Sequence, residues 1–207
     1  MPTVIYDTTP IVYLRTKKTG SHSVKHCLRQ YADSKKLTIL DVRSSDTDTL
    51  DNKRFVSHMP AKELSERLDV WNNSYKFTFV RNPWAVVSSY FVFCKFTGPK
   101  YGWNNPDKYN LSNIDNFVLS LRDVHGTTNF NRKIYTIDDK VIADVYDVSD
   151  IQKVFAEKFA LEQQIPTYNK QDYSHNDYIP SDNMDKYFYK DYEWEINEFG
   201  YTKPALD

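Results

Sequence analysis

The chain alternates short apolar runs with amphipathic stretches, a pattern that predicts strands and helices in turn. Ile11–Leu14 is apolar and β-branched and predicts a first strand. Leu37–Val42 predicts a second strand, and Tyr75–Val80, almost entirely β-branched or aromatic, predicts the best-marked one. Between the first two strands, helical spacing predicts one buried helix face formed by Val24, Cys27, Leu28 and Tyr31.

Further segments continue the alternation to the end of the chain. Short strands are predicted in "RFVSHM" and "VIADVYDV". Helices are predicted in "PAKELSERLDVW", "PWAVVSSYFVFCKF", "IDNFVLSLRD" and "SDIQKVFAEKFA", with prolines opening the first two and Ser149 capping the last. A closing helix carries an apolar stripe from Met184 to Phe199 and stops at Gly200. We therefore expect the α/β class, as one layered domain over residues 1–207 with a mainly parallel central sheet flanked by helices.

Charge changes this picture only locally. The 207 residues carry 27 basic and 28 acidic side chains, which gives a net charge of −1. No general field for polyanions is expected, and no basic-aromatic stripe suggests nucleic-acid binding. Any anion site must therefore be built from a few neighbouring residues.

Two cysteines, Cys27 and Cys94, lie within apolar periodic segments. We expect them to be buried and reduced, because two thiols make no disulfide framework. The first residues show no secretory leader, and no apolar run approaches the roughly 20 residues that a membrane span requires. A soluble, cytoplasmic protein is the expectation.

The turn between the first strand and the first helix is unusually rich in hydrogen-bond donors. Lys17 to Ser23 read "KKTGSHS". A helix N-terminus attracts phosphate or sulfate, and Gly20 permits a close approach of the backbone. Lys18 supplies a cation, and Ser21 and Ser23 supply hydroxyl groups. The alternative is that one of these serines merely caps the helix while the lysines are solvated.

A second strand-to-helix junction repeats this arrangement. Arg81 follows the best-marked strand, Asn82 and Pro83 open the next helix, and Ser89 lies in its second turn. An arginine and a hydroxyl in these positions suit another phosphate. The alternative is a surface ion pair for Arg81 and a packing role for Ser89.

These motifs resemble those of the PAPS-dependent sulfotransferases. "KTGSHS" after an apolar strand is similar to their phosphosulfate loop, and "FTFVRNPWAVVSSYF" is similar to their 3′-phosphate segment, with Arg and Ser eight residues apart. Most similar is the carbohydrate branch with heparan-sulfate 2-O-sulfotransferases and their short bacterial relatives. "FVSHMPAKEL", "IPTYNKQDYSHNDYI" and "YKDYEWEINEFGY" also resemble segments of that branch. The likeness spans residues 10–201, with 96–135 poorly matched.

Three departures accompany the likeness. Lys17 stands where many members have proline, Ala85 and Val86 replace an acidic-basic pair, and "DVYDVSDI" lacks a Phe-Glu-Asn element. The first two departures should leave nucleotide binding intact. The third puts the family's contacts in that late segment in doubt.

The resemblance implies a P-loop-like domain, PAPS as the sulfuryl donor and an acceptor hydroxyl or amine, with a carbohydrate hydroxyl favoured. Lys18 would stabilise charge on the oxygen that bridges sulfur and the 5′-phosphate. His58 would be the general base, with Glu63 and then His175 as substitutes. Arg81 and Ser89 would bind the 3′-phosphate. The phosphosulfate would lie against Lys17, Lys18, Thr19, Gly20, Ser21, His22 and Ser23, although His22 is better explained as an exposed filler of the turn.

Two other functions stay open at this stage. A nucleotide kinase with a P-loop would show G-x-x-x-x-G-K-[ST], whereas here the lysine precedes the glycine. A non-catalytic nucleotide- or glycan-binding module would have no use for Lys18 together with His58. No spacing of Cys, His and Asp resembles a metal site, so we expect chemistry without a metal.

Overall fold

The computed structural model describes residues 3–41, 49–50, 53–54, 58–101, 108–162, 164–166 and 178–204. The chain divides into two compact units. The first unit is formed by residues 1–80 and 131–169, and the second by residues 81–130 and 170–207. The expectation of one domain over the whole chain stays a prediction.

The sheet lies in the first unit. In the described residues the strands are β1 (Thr3–Tyr6), β2 (Ile11–Tyr13), β3 (Thr38–Asp41), β4 (Thr49–Leu50), β5 (Lys53–Arg54), β6 (Tyr75–Val80), β7 (Thr136–Ile137), β8 (Lys140–Val141) and β9 (Asp144–Asp147). Five of them form one sheet in the order β3-β1-β2-β6-β9, while β4 pairs with β5 and β7 with β8.

The central sheet is mixed. β2 pairs in parallel with β6, and β6 in parallel with β9. β1 pairs antiparallel with both β2 and β3. Four strands therefore share one direction and β1 alone opposes them, so the prediction of a mainly parallel sheet holds for strand direction while half of the pairings are antiparallel.

The helices flank this sheet or form the second unit. Those that the structure describes are α1 (Ser21–Lys35), α2 (Ala61–Ser65), α3 (Pro83–Val92), α4 (Ile114–His125), α5 (Arg132–Tyr135), α6 (Ile151–Phe159), α7 (Asp182–Asp191) and α8 (Glu193–Phe199). Single 3₁₀ turns lie at Trp71–Asn73, Pro99–Tyr101 and Val148–Asp150, and a π turn at Phe93–Thr97 extends α3. None of these helices is long and apolar enough to cross a lipid bilayer.

Aromatic side chains of β2, β6 and α6 form the core of the first unit. Phe77 lies 5.3 Å from Tyr13 and 5.5 Å from Phe159, measured between ring centroids. The predicted face of α1 packs against them and is buried at Val24, Cys27 and Leu28, with Tyr31 at its edge. Each fully buried side chain of this size contributes about 1.5–3 kcal/mol, so this core fixes α1 on β2 and thereby the turn between them.

The second unit has its own core around Trp84. Its ring stacks on Phe188 at 5.1 Å, and its indole N–H donates to Asp185 at 3.0 Å. Cys94 is buried in the same cluster, and both it and Cys27 are free thiols, as predicted. Burial raises the pKa of Cys27 to about 11, so that thiol stays protonated at neutral pH.

Several predicted elements differ at their ends. The helix after Pro60 stops at Ser65 and is followed by a 3₁₀ turn. Ser149 does not cap α6, because it lies in the preceding 3₁₀ turn and donates to the carboxylate of Asp147. The closing helix is two helices separated at Tyr192, and α8 ends at Gly200 as expected. Residues 55–57 of the predicted strand in "RFVSHM" lie outside the described residues.

Candidate functional site

The turn between β2 and α1 has a backbone that few side chains tolerate. Gly20 is the N-cap of α1 and has φ +72°, and Lys18 has φ +64° although it carries a Cβ atom. Gly20 itself holds the N-cap position of α1, so neither Ser21 nor Ser23 is the N-cap residue. A glycine N-cap brings no side-chain acceptor of its own to the first-turn amides, and helix starts of this kind attract anions.

Glycine is required at position 20 for a second reason. A Cβ atom there would lie 3.0 Å from Cδ1 of Ile151 and 3.3 Å from Cγ2 of Val148. The chain after β9 therefore packs directly against the turn. Any larger residue would push the turn away from its support.

Threonine hydroxyls fix the base of the turn from inside. Thr16 donates to the carbonyl of Phe79 at 2.6 Å and lies 2.6 Å from the hydroxyl of Thr19. Because Thr16 has only one hydroxyl proton, Thr19 is the donor of that second bond. Thr19 is buried, so its side chain faces the protein and only its backbone N–H remains for an anion.

Asn131 is a contact that the sequence did not reveal. Its side-chain oxygen accepts from the N–H of Lys17 at 2.8 Å, and its side-chain N–H₂ donates to the carbonyl of Lys17 at 3.0 Å. The two residues are 114 positions apart. An asparagine before a helix is normally interpreted as a cap, yet this side chain does not cap α5.

The remaining predicted residues of the turn have different surroundings. Ser21 is buried and His22 is exposed at the start of α1. Ser23 is also buried, and its hydroxyl donates to the carbonyl of Pro166 at 2.9 Å. Ser23 therefore stabilises the start of α1 from the side, in addition to any contact with an anion.

His58 lies in the same unit as the turn. Its Nδ1 is 2.8 Å from the carbonyl oxygen of Arg15. Burial lowers its pKa well below 6.5, and the charges of Arg15 and Lys17 lower it further, against the opposing effect of the Arg15 hydrogen bond. The imidazole is therefore neutral at pH 7, with its proton on Nδ1 and a lone pair on Nε2.

A groove of about 420 Å³ is lined in part by Pro60, which follows His58 by two positions in the sequence. One predicted substitute base, Glu63, lies in it and pairs with Arg67 at 3.5 Å. The other, His175, lies outside the described residues. The groove combines lysines, carboxylates and a hydroxyl, from Pro60, Lys62, Glu63, Glu66, Lys133, Thr136, Ile137, Asp138 and Asp139.

Arg81 and Ser89 belong to the second unit. Arg81 follows the last residue of β6, and Asn82 caps α3 by accepting from the N–H of Ala85 at 3.4 Å. With Pro83 at the first helical position, the predicted opening of this helix is confirmed. Ser89 is buried on α3. Phosphate binding by Arg81 and Ser89 stays a prediction.

Comparison with known proteins assigns the chain. Residues 1–132 match the sulfotransferase family, and this match includes the turn, His58, Arg81, Ser89 and Asn131. No curated protein and no solved structure matches the chain significantly. Because the family match spans more than half of the 207 residues, the chain belongs to the sulfotransferase family.

Proposed function

We propose that this sulfotransferase uses PAPS as its donor and a hydroxyl group of a carbohydrate as its acceptor. The observation that carries the donor assignment is the β2–α1 turn, with glycine at the N-cap of α1 and positive φ angles at Lys18 and Gly20. Backbone amides and an ammonium group fit a phosphosulfate, whose oxygens only accept hydrogen bonds.

Each group of the turn has a role in this proposal. When bound, PAPS supplies a sulfuryl group joined to phosphate through an oxygen. Lys18 stabilises the negative charge that develops on that oxygen when its bond to sulfur breaks. The amides at the start of α1 bind the 5′-phosphate, and the inward-facing hydroxyl of Thr19 supports the turn instead of the ligand.

His58 receives the proton of the acceptor. Its Nδ1 proton is held by the Arg15 carbonyl, so Nε2 is the atom that accepts. The new bond forms between sulfur and the acceptor oxygen as the oxygen's proton moves to His58. A neutral imidazole at pH 7 is the required starting state for this step, and its lowered pKa supports that state.

Arg81 and Ser89 are proposed to bind the 3′-phosphate and so to select PAPS over other adenine nucleotides. Support comes from their eight-residue spacing and from their positions after β6 and on α3. Arginine forms bidentate hydrogen bonds with phosphate, which makes it the natural reader of such a group.

A carbohydrate acceptor is supported by the groove that Pro60 and Glu63 line. Its lysines and carboxylates offer donors and acceptors to a molecule rich in hydroxyl groups. The resemblance to the carbohydrate branch favours the same class. The cytoplasmic location expected from the sequence stays a prediction.

The two alternative functions predict different activities. A nucleotide kinase would turn over ATP with magnesium, and a non-catalytic module would bind nucleotide without transferring sulfate. The family match favours neither of them. Both are excluded if labelled sulfate moves from PAPS to a glycan in the presence of this protein.

The test is a titration with 3′-phosphoadenosine 5′-phosphate and with AMP, followed by transfer of labelled sulfate to a panel of glycans. The doubly phosphorylated nucleotide should bind in the micromolar range and much more tightly than AMP. Arg81→Ala should weaken its binding by about 1.5–3 kcal/mol. Arg29→Ala, on the exposed side of α1, is the matched control and should bind as the wild type does. Equal affinity for the two nucleotides would contradict the 3′-phosphate assignment.

A further inference from the structure

We propose that Asn131 is a positioning residue that holds the Lys17–Gly20 turn in the conformation that binds an anion. This proposal rests on the proposed function of the turn. Asn131 lies in the stretch 96–135, to which the family resemblance assigns no role. Its side chain acts on the main chain of Lys17 and does not need to touch the ligand.

The carboxamide of Asn131 takes the place of a backbone peptide group as the hydrogen-bond partner of Lys17. One oxygen accepts from the N–H of Lys17 at 2.8 Å, and one nitrogen donates to its carbonyl at 3.0 Å. Both main-chain groups of a single residue are thereby fixed by one rigid carboxamide. Asn131 is only 5% exposed, so water competes weakly for these bonds.

The turn needs such a constraint because of the residue that follows. Lys18 has φ +64°, a conformation that a residue with a Cβ atom adopts only when its surroundings enforce it. On one side, Thr16 is anchored to the Phe79 carbonyl. Lys17 lies between that anchor and Lys18. Loss of the two bonds to Asn131 removes two restraints from Lys17, which lets the peptide before Lys18 rotate and the amides that follow change direction.

The Asn131 side chain bonds to Lys17 and does not cap its own helix, α5. Asn131 precedes α5, where asparagine commonly caps, but it makes no capping hydrogen bond there. The same amino acid caps α4 in the ordinary way at Asn113, by accepting from the N–H of Asn116 at 2.8 Å. The two asparagines therefore form a matched pair for testing.

The experiment compares Asn131→Ala with Asn113→Ala in the full chain. Both should lower the melting temperature. Only Asn131→Ala should weaken the binding of 3′-phosphoadenosine 5′-phosphate, by at least tenfold at a temperature where both variants are folded. Wild-type affinity in folded Asn131→Ala would overturn the proposal.

Asn131→Asp adds a readout that a purely structural role would not move. A carboxylate still accepts from the Lys17 N–H but repels its carbonyl, whereas a protonated carboxyl both accepts and donates, as the amide does. The ratio of variant to wild-type affinity should therefore rise toward one as the pH falls from 7.5 to 5. A ratio that stays constant over this range would contradict the two-bond arrangement.

Amide hydrogen exchange without nucleotide separates this proposal from the proposed function. In Asn131→Ala the amides of residues 17–21 should exchange at least tenfold faster than in the wild type, while those of α4 are unchanged. This result is expected even if the wild type binds no adenine nucleotide, in which case only the donor assignment fails. Unchanged exchange in the turn would overturn the positioning role itself.

Discussion

The imidazole of His58 and the main-chain carbonyl of Arg15 lie 2.8 Å apart, and Nδ1 is the atom that faces the carbonyl. A carbonyl oxygen accepts hydrogen bonds and never donates them, so the proton of the neutral ring is on Nδ1. The guanidinium of the same arginine disfavours a second proton on the ring. Arg15 therefore sets the tautomer of His58, and its charge adds to burial, the larger effect, in lowering the pKa of the ring.

Replacing this imidazole should separate catalysis from binding. His58→Ala should lower turnover about 10²–10⁴-fold, the usual contribution of a general base, with nucleotide affinity near that of the wild type. Calorimetry and labelled sulfate transfer measure the two properties. His26→Ala, which changes a histidine on α1, serves as the control. Wild-type turnover in His58→Ala would mean that another residue is the base, with Glu63 and then His175 as the next residues to replace.

The pH dependence follows from the lowered pKa of His58. The base works only when neutral, so activity is present above its pKa and falls as the pH drops through it. Because burial and the charges of Arg15 and Lys17 place that pKa below 6.5, kcat/KM should be flat from pH 8 to 6.5 and decline only at lower pH. A decline centred at or above 6.5 would contradict this environment. In the same acidic range the unfolded chain binds a proton that folded His58 resists, so the free energy of unfolding should fall there, and less so in His58→Ala.

Lys18 combines a charge with an unfavourable backbone angle, and two substitutions separate these properties. Lys18→Ala and Lys18→Gly both remove the ammonium, so both should lower turnover and weaken nucleotide binding. Only glycine relieves the positive φ. The free energy of unfolding of Lys18→Gly, measured by urea denaturation, should therefore be about 1 kcal/mol higher than that of Lys18→Ala. Equal stabilities would mean that position 18 is not held at positive φ in solution.

Gly20 and Gly126 provide a matched pair for the close contact beneath the turn. Both have positive φ, +72° and +73°, but a Cβ atom would meet Ile151 only at Gly20, and nothing within 4 Å at Gly126. Each Gly→Ala change should cost about 1–2 kcal/mol for its backbone angle. Gly20→Ala should cost at least about 1 kcal/mol more and also weaken nucleotide binding. Similar losses in the two variants would contradict the packing of Ile151 against the turn.

Chelation tests the expectation of metal-free chemistry. Among the described residues, no group of His, Cys, Asp and Glu side chains is arranged to hold a metal ion. Sulfate transfer should be unchanged after dialysis against EDTA. Activity that is lost on dialysis and restored by magnesium would favour the kinase alternative, and restoration by zinc would indicate a metalloenzyme.

The sequence predicted the elements whose apolar pattern is strong. β6 and the buried face of α1 are confirmed because their side chains make the core of the first unit. β1 was missed because Thr3–Tyr6 is short, and it becomes a strand only through its pairing with β2 and β3. The break at Tyr192 was also missed, because the apolar stripe continues across it.

The site shows the same division between local and distant causes. The glycine turn before α1 follows from neighbouring residues, so the sequence indicates it. Asn131 and the carbonyl of Arg15 act across long sequence separations, and nothing in their local pattern marks them. The motif predicts that Thr19 belongs to the turn, but it does not predict that the Thr19 hydroxyl faces the protein.

The first unit is formed by two separate parts of the chain, and this affects how the protein folds during synthesis. β9 completes the sheet of the first unit by pairing with β6, and residues 81–130 of the second unit are synthesised between them. During translation, Val80 therefore leaves the ribosome long before its partner Asp147 does. The first unit has its full set of residues only after residue 169 has emerged, so versions that end before β9 should expose an unpaired β6 edge and aggregate.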